Sequence, residues 1–135
     1  MSEECCNFVN MEKDEVEHIA IVRCERQSEI CPGNYCLRAF FNSTDYFELL
    51  KNKKKSLVGF LTCGGCPGKR IYRLVQRLRD QEHLDTLYFS TCIVENDFVL
   101  PKCIFQNKLG SDIEKLGIKV VKGTHASGMQ CCSLY

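Results

Sequence analysis

Leu57 to Asp80, LVGFLTCGGCPGKRIYRLVQRLRD, holds a strand, a turn and a helix in one stretch. Leu57 to Cys63 has the length and composition of a strand. Ile71, Leu74, Val75 and Leu78 then recur at i, i+3, i+4 and i+7, with Arg70, Arg73, Arg77 and Asp80 on the other face. That spacing predicts an amphipathic surface helix over about 69–83. The same alternation continues to either side. His18 to Cys24 is a short, β-branched apolar run of the kind buried on both faces of a parallel sheet. Thr86 to Cys92 is a third run of strand length, and Leu116 to His125 contains a fourth, centred on Ile118 to Val121. Leu37, Phe40 and Phe41 mark a helix after Pro32; Ile104, Phe105, Leu109, Ile113 and Leu116 mark another after Pro101. A proline near each helix start, Pro67 included, suits a first-turn position, where its missing N–H costs nothing. The expectation is one α/β domain: a small three-layer fold with a mainly parallel four-stranded sheet flanked by helices, flavodoxin-like or Rossmann-like, with right-handed crossovers.

The cysteines fall on this map in a pattern. Cys24, Cys63 and Cys92 end the first three strands, and His125 lies just beyond the fourth. Cys31 and Cys66 immediately precede prolines at helix starts, Cys36 follows Pro32 closely, and Cys103 stands two residues after Pro101. In an open parallel sheet, strand ends and the starts of the following helices share the carboxyl edge, where such folds place their ligands. Neighbouring strands lie about 4.8 Å apart, and sulfurs bound at about 2.3 Å to a tetrahedral metal sit at a similar separation. Helix N-termini at that edge favour thiolate over thiol, the form a metal needs. The expected metal ligands are therefore Cys24, Cys31, Cys36, Cys63, Cys66, Cys92, Cys103 and His125.

Within Thr62 to Arg70, TCGGCPGKR, Cys63 and Cys66 form a Cys-x-x-Cys pair, a spacing shared by metal ligands, redox dithiols and iron–sulfur ligands. Gly64 and Gly65 permit positive φ and leave backbone amides open to a sulfur or a bound anion. Lys69 and Arg70 oppose the helix dipole at a cost of about 0.3–1 kcal/mol each, which a neighbouring anionic centre would offset. Gly64, Gly65, Lys69 and Arg70 are accordingly the candidate cofactor-binding residues. The motif lacks both the dinucleotide fingerprint and the P-loop spacing.

Composition narrows the setting. The chain has 135 residues, of which 44% are hydrophobic and 26% charged, with a net charge of +1. That balance suits one globular domain and disfavours a disordered chain or a general nucleic-acid binder. No apolar run approaches the roughly 20 residues of a membrane span. The acidic start, Met1 to Cys6, lacks the basic and apolar regions of a secretory signal. A cytoplasmic location is expected, where the 11 cysteines serve metal binding or redox chemistry rather than disulfides. Lys51 to Lys55, KNKKK, reads as a solvated turn that discourages edge pairing. His18 and His83 read as surface or capping residues, Tyr88 as a packing residue, and Glu25 as a loop carboxylate at the cysteine-bearing edge.

Four ordered segments carry a family resemblance: IAIVRCE at Ile19 to Glu25, CPGNYCLRAF at Cys31 to Phe40, VGFLTCGGCPGKR at Val58 to Arg70, and STCIV at Ser90 to Val94. The PKCIF segment and the closing KVVKGTH fit as well. The sequence resembles the CGGC domain family, small prokaryotic proteins rich in cysteine and histidine with a proposed metal-binding role. The resemblance spans residues 18–125, leaving 1–17 as an N-terminal arm and 126–135 as a tail. It implies metal binding and nominates the same eight ligands, but it supplies no reaction.

The functional expectation is a protein with a Cys/His-rich site for zinc or an iron–sulfur cluster, acting in metal or cluster handling or in redox sensing. Its partners are the metal or cluster and a redox or metal-delivery protein; a homo-oligomer is compatible, and a membrane or nucleic acid is not expected. The alternative is a thiol–disulfide oxidoreductase using Cys63 and Cys66, with Cys66 resolving Cys63. Five further core cysteines count against a simple dithiol exchanger. Cys5, Cys6, Cys131 and Cys132 fall outside the resemblance and read as tail thiols.

Overall fold

The structure, a computed structural model, describes residues 16–95 and 102–125. Four strands form one parallel sheet: β1 (Val16–Arg23), β2 (Lys54–Thr62), β3 (Thr86–Phe89) and β4 (Lys119–Lys122), in the order β2-β1-β3-β4. Connections run through α1 (Asn34–Asn42), α2 (Lys69–Glu82), the single turn α3 (Thr91–Val94) and α4 (Gln106–Glu114), with 3-10 turns at Gln27–Glu29 and Asp45–Leu50.

Central β1 shows why its run is continuously apolar. Ile19, Ala20, Ile21 and Val22 are fully buried, and alternate side chains enter opposite layers. Ile19 and Ile21, with Tyr88 from β3, pack on Cys36, Ala39 and Phe40 of α1 and on Phe47 and Leu50. Ala20 and Val22, with Leu87 and Phe89, pack on Ile71 and Val75 of α2 and Ile113 of α4. Tyr88 is a packing residue, stacked on Phe47 with ring centroids 4.3 Å apart.

One layer thus holds α1 and the other holds α2 and α4. The chain moves outward from β1 to β2 on one side and from β3 to β4 on the other, so the topological switch lies between β1 and β3. In open α/β sheets that crevice, at the carboxyl ends of the strands, is the ligand position. The edge is extended by single hydrogen bonds past the strand ends. Cys63 N–H donates to the Arg23 carbonyl (2.9 Å), Ser90 N–H to Val22 (2.9 Å) and Gly123 N–H to Phe89 (2.7 Å).

Several expectations are corrected. β1 begins at Val16, inside the segment read as an arm. β3 stops at Phe89, so Cys92 sits on α3 rather than ending the strand. Pro32 and Pro67 do not occupy the first helical turn: glycines with left-handed φ, Gly33 and Gly68, are the N-caps, and each proline precedes its cap. Pro101 lies outside the described residues. Ile104 does not join the helical apolar face; α4 begins after it and its side chain is 84% exposed. His18 is buried at 3% exposure, its ring 3.3 Å from the Asp85 carboxylate, which also accepts the His18 N–H. His83 is the C-cap of α2, in the left-handed region. The lysine-rich segment is a turn only at 51–53: Lys54 and Lys55 begin β2, an outer strand of the sheet, and Lys55 donates to the Ser43 hydroxyl at 2.6 Å.

Candidate metal centre

Cys63 follows the last residue of β2, and Cys24 follows the last residue of β1. Their strands are hydrogen-bonded neighbours in register to Arg23 and Thr62, which opposes the two thiols so that each shifts the acidity of the other. Cys63 behaves as the acceptor. The Cys24 S–H, opposed by burial and helped by the Glu25 and Gly65 amides, lowers Cys63 to about 5. The Glu25 N–H lies 3.3 Å from Cys63 Sγ. The Cys63 sulfur and then burial push the Cys24 thiol well up. Cys63 is therefore the readier of the two sulfurs to ionise.

Cys66 and Cys103 line the same cavity of about 230 Å³ as Cys24 and Cys63, with Ile71, Phe89, Ile93, Phe105 and Leu109 forming apolar walls. Cys66 is exposed, on a turn in which Gly64 and Gly65 have φ of 75° and 105°. Cys103 stands just before α4, where burial raises its thiol.

The other four nominated residues form a different neighbourhood. Cys36 belongs to the α1-side core and meets the Thr124 hydroxyl at 3.2 Å. The neighbouring His125 is buried, with its ring 5.9 Å from that of Tyr35. Its backbone is fixed by Thr91, whose hydroxyl accepts the His125 N–H (3.1 Å) and donates to the His125 carbonyl (2.7 Å). Cys31 is buried nearby. Cys92 lies between the two groups: its sulfur is 2.9 Å from the Ser90 hydroxyl, receives the Cys24 N–H and feels Cys31 electrostatically. Burial raises it.

So the eight candidates share one sheet edge but divide between its two layers. Among the described residues, no three Cys, His, Asp or Glu side chains are gathered closely enough to hold one ion. The donor set of the cavity, four sulfurs with one held as thiolate, fits a soft metal chemically. Ligation requires Cys66 and Cys103 to approach the Cys24–Cys63 pair, and the glycine turn beneath Cys66 supplies the backbone freedom for its share.

Of the Lys69–Arg70 pair, Lys69 is exposed as the first residue of α2, and Arg70 finds a structural explanation. Arg70 turns back over Gly64, donates to Thr62 Oγ1 at 2.7 Å and lies 3.6 Å from the Glu25 carboxylate, which also accepts the Thr62 hydroxyl. Glu25 is thus the anion that offsets the cation in the first turn of α2. Both charged side chains are nearly half exposed, so the pair contributes about 1 kcal/mol or less; its larger effect is to fix the Glu25 amide on Cys63.

Arg23 was not singled out by residue spacing. Its side chain is buried at 7% exposure, donates to the Cys31 carbonyl and stacks over Phe60 at 5.3 Å. Its charge favours the thiolate forms of both Cys36 and Cys92. The sequence signal was a cation closing an otherwise apolar strand, a position that burial makes expensive without electronegative neighbours.

Burial of Cys36 pushes its thiol up to about 11 from 9.0, the Thr124 hydrogen bond opposing the rise. A folded-state pKa above the unfolded one means stability that is complete below pH 9 and lost as pH rises through about 11. Metal-free wild type is expected to lose about 2–3 kcal/mol more than Cys36→Ala across that interval, at about 1.36 kcal/mol per pKa unit. Urea unfolding at a series of pH values measures the difference; parallel curves for the two proteins would refute the assignment.

The fold and site define a class: an α/β protein with a thiolate-rich centre at the carboxyl edge of a parallel sheet. The chain belongs to the CGGC domain family, whose model matches residues 18–125, and metal binding is the role proposed for that family. An uncharacterized protein of Methanocaldococcus jannaschii is 33% identical over 118 residues, covering 79% of this chain and 85% of the relative. A second uncharacterized protein of that organism is 35% identical over 65 residues, covering 48% of this chain and 94% of the relative. No solved structure matches. No helix among the described residues is long and apolar enough to cross a membrane.

Proposed function

We propose that this protein binds a soft metal centre, zinc or an iron–sulfur cluster, through Cys24, Cys63, Cys66 and Cys103, and acts in metal or cluster handling or in redox sensing. One observation carries the reading: four thiols line a single cavity, and one of them, Cys63, has the Glu25 N–H 3.3 Å from its sulfur. A ligating cysteine must be deprotonated, and the surroundings of Cys63 lower its pKa in that direction. Zinc would supply a Lewis acid, and a cluster would supply electron transfer. The protein's own residues orient the donors: Glu25 and Gly65 present amides to Cys63, and Arg70 holds Glu25. Cys31, Cys36, Cys92 and His125 form the second group, as spare thiols or as ligands of a further ion. The reading places the protein in the cytoplasm, with a redox or metal-delivery protein as partner.

Anaerobic purification, elemental analysis and an absorption spectrum test the proposal. Cys66→Ser and Cys103→Ser are each expected to lower bound metal by at least the roughly 10–100-fold in affinity seen when a metal site's outer partners are lost. Cys36→Ala is expected to leave it unchanged. Visible charge-transfer absorption indicates a cluster; a colourless, zinc-loaded protein indicates zinc. Folded wild type with no metal under these conditions defeats the reading.

A second reading, a thiol–disulfide oxidoreductase using Cys63 and Cys66, is favoured by the low Cys63 value and the exposure of Cys66. A strongly reducing, unreactive Cys63–Cys66 pair would exclude it.

A further inference from the structure

Cys63 has a partner that its own motif does not contain. β1 and β2 are paired as far as Arg23 and Thr62, and the Cys63 N–H to Arg23 carbonyl bond carries the ladder one step further. Cys24 and Cys63 are therefore the next opposed pair. Opposed residues on adjacent parallel strands project to the same face and lie about 4.8 Å apart. That falls within the Cα separation of about 4.4–6.8 Å that a disulfide needs. Both side chains pack against the α2-side core and line one cavity, and the Glu25 N–H lies 3.3 Å from Cys63 Sγ. Cys66, the other cysteine of the motif, is exposed on the glycine turn.

We propose that Cys63 and Cys24 form a dithiol that reduces a low-molecular-weight disulfide, with Cys63 as nucleophile and Cys24 as resolving thiol. The inference rests on the opposed pair at the site described above and not on which metal fills it. The Cys63 thiolate attacks one sulfur of the external disulfide; a protein–S–S bond forms, the external S–S bond breaks, and one small thiolate leaves. Cys24 gives its proton to that thiolate, and its sulfur attacks Cys63 Sγ. The mixed disulfide breaks, and the second small thiolate leaves and takes a proton from water. Two electrons pass to the external disulfide, giving two small thiols and a Cys24–Cys63 bond. The cavity beside both sulfurs admits a small reactant, and its walls at Ile71, Phe89 and Leu109 are apolar. Once oxidised, two of the four cavity sulfurs are no longer free donors, which couples metal ligation to the thiol state.

The test uses the full chain, reduced and stripped of metal with a chelator, then treated with an equimolar amount of oxidised glutathione, quenched with acid, alkylated and mapped by peptide mass. Wild type is expected to yield a Cys24–Cys63 linked peptide as the main product and to release both glutathiones. In the same digest Cys66 is expected to be recovered alkylated and unlinked, since resolution follows attack within the existing pair. Cys24→Ser is expected to stop at a Cys63–glutathione adduct, releasing one glutathione. A dominant Cys63–Cys66 link, or release of both glutathiones by Cys24→Ser at the wild-type rate, overturns the proposal. If Cys24→Ser fails to fold, the identity of the linked pair in the wild-type map decides alone. Metal content is measured separately on untreated protein. A link without any native metal sinks the metal reading and leaves this one standing; native metal without a link sinks this one alone.

Discussion

Near pH 6, metal-stripped protein treated with iodoacetamide is expected to carry the label first on Cys63, roughly tenfold faster than on a thiol of ordinary acidity. The thiolate is the reactive form, and with a pKa of about 5 Cys63 is mostly ionised there, whereas a thiol at the reference value of 9.0 is ionised at roughly one part in a thousand. Nucleophilicity falls with basicity, with a Brønsted slope of about 0.4–0.5, so the four-unit lowering costs roughly 60-fold. The ionisation advantage is the larger, and about a tenfold gain survives. Cys24→Ala removes the largest contribution to the lowering and is expected to slow Cys63 labelling several-fold near pH 6, with the order reversed at alkaline pH, where both thiols are ionised and the more basic thiolate is the stronger nucleophile. Peptide mapping across pH follows both proteins. Labelling of exposed Cys66 before Cys63 would show that access outweighs ionisation and would remove the basis for an ionised Cys63.

Phe89→Ala is expected to cost about 3–5 kcal/mol of unfolding free energy, the range for deleting a buried aromatic ring. Phe89 is fully buried at the end of β3, within the cluster that joins β1 to α2 and α4. It also forms part of the wall of the cysteine-lined cavity. Deleting the ring enlarges a cavity that already exists, so the neighbours cannot close the gap by small shifts. Such a loss is a large part of the stability of an ordinary domain. Chemical denaturation of the metal-free protein measures it, and thiol labelling reports the consequence, since Cys24 and Cys63 pack against the same cluster. A loss below about 1 kcal/mol, the range of surface substitutions, would show that the ring does not have the packing role assigned to it.

Most of the architecture was legible in local pattern. The continuous apolar run of β1 reports burial on both faces, and the spacing of Ile71, Leu74, Val75 and Leu78 reports a helix with one covered side; both properties repeat over a few residues. Boundaries were less legible where two local preferences compete. Thr86 to Cys92 looks like one strand by composition, yet the chain turns into α3 after Ser90, because its pairing partners end at Val22 and Lys122. The prolines were misplaced by one cap: Gly33 and Gly68 take the positive-φ position that ends the preceding turn, and that conformation depends on the path the chain has to follow.

The sequence by itself determined that strands and helices alternate and that the cysteines gather where strands end and helices begin. Alternation forces a parallel sheet, and a parallel sheet has one carboxyl edge. Only the tertiary structure decided how those cysteines are grouped. Register between β1 and β2 opposes Cys24 to Cys63, and the layer each following element enters separates the cavity thiols from Cys36 and His125. Glu25 and Cys63 are 38 residues apart in the chain, and no local pattern encodes which of several thiols along an edge will be opposed. That choice is made by strand pairing and side-chain direction, which are properties of the folded chain.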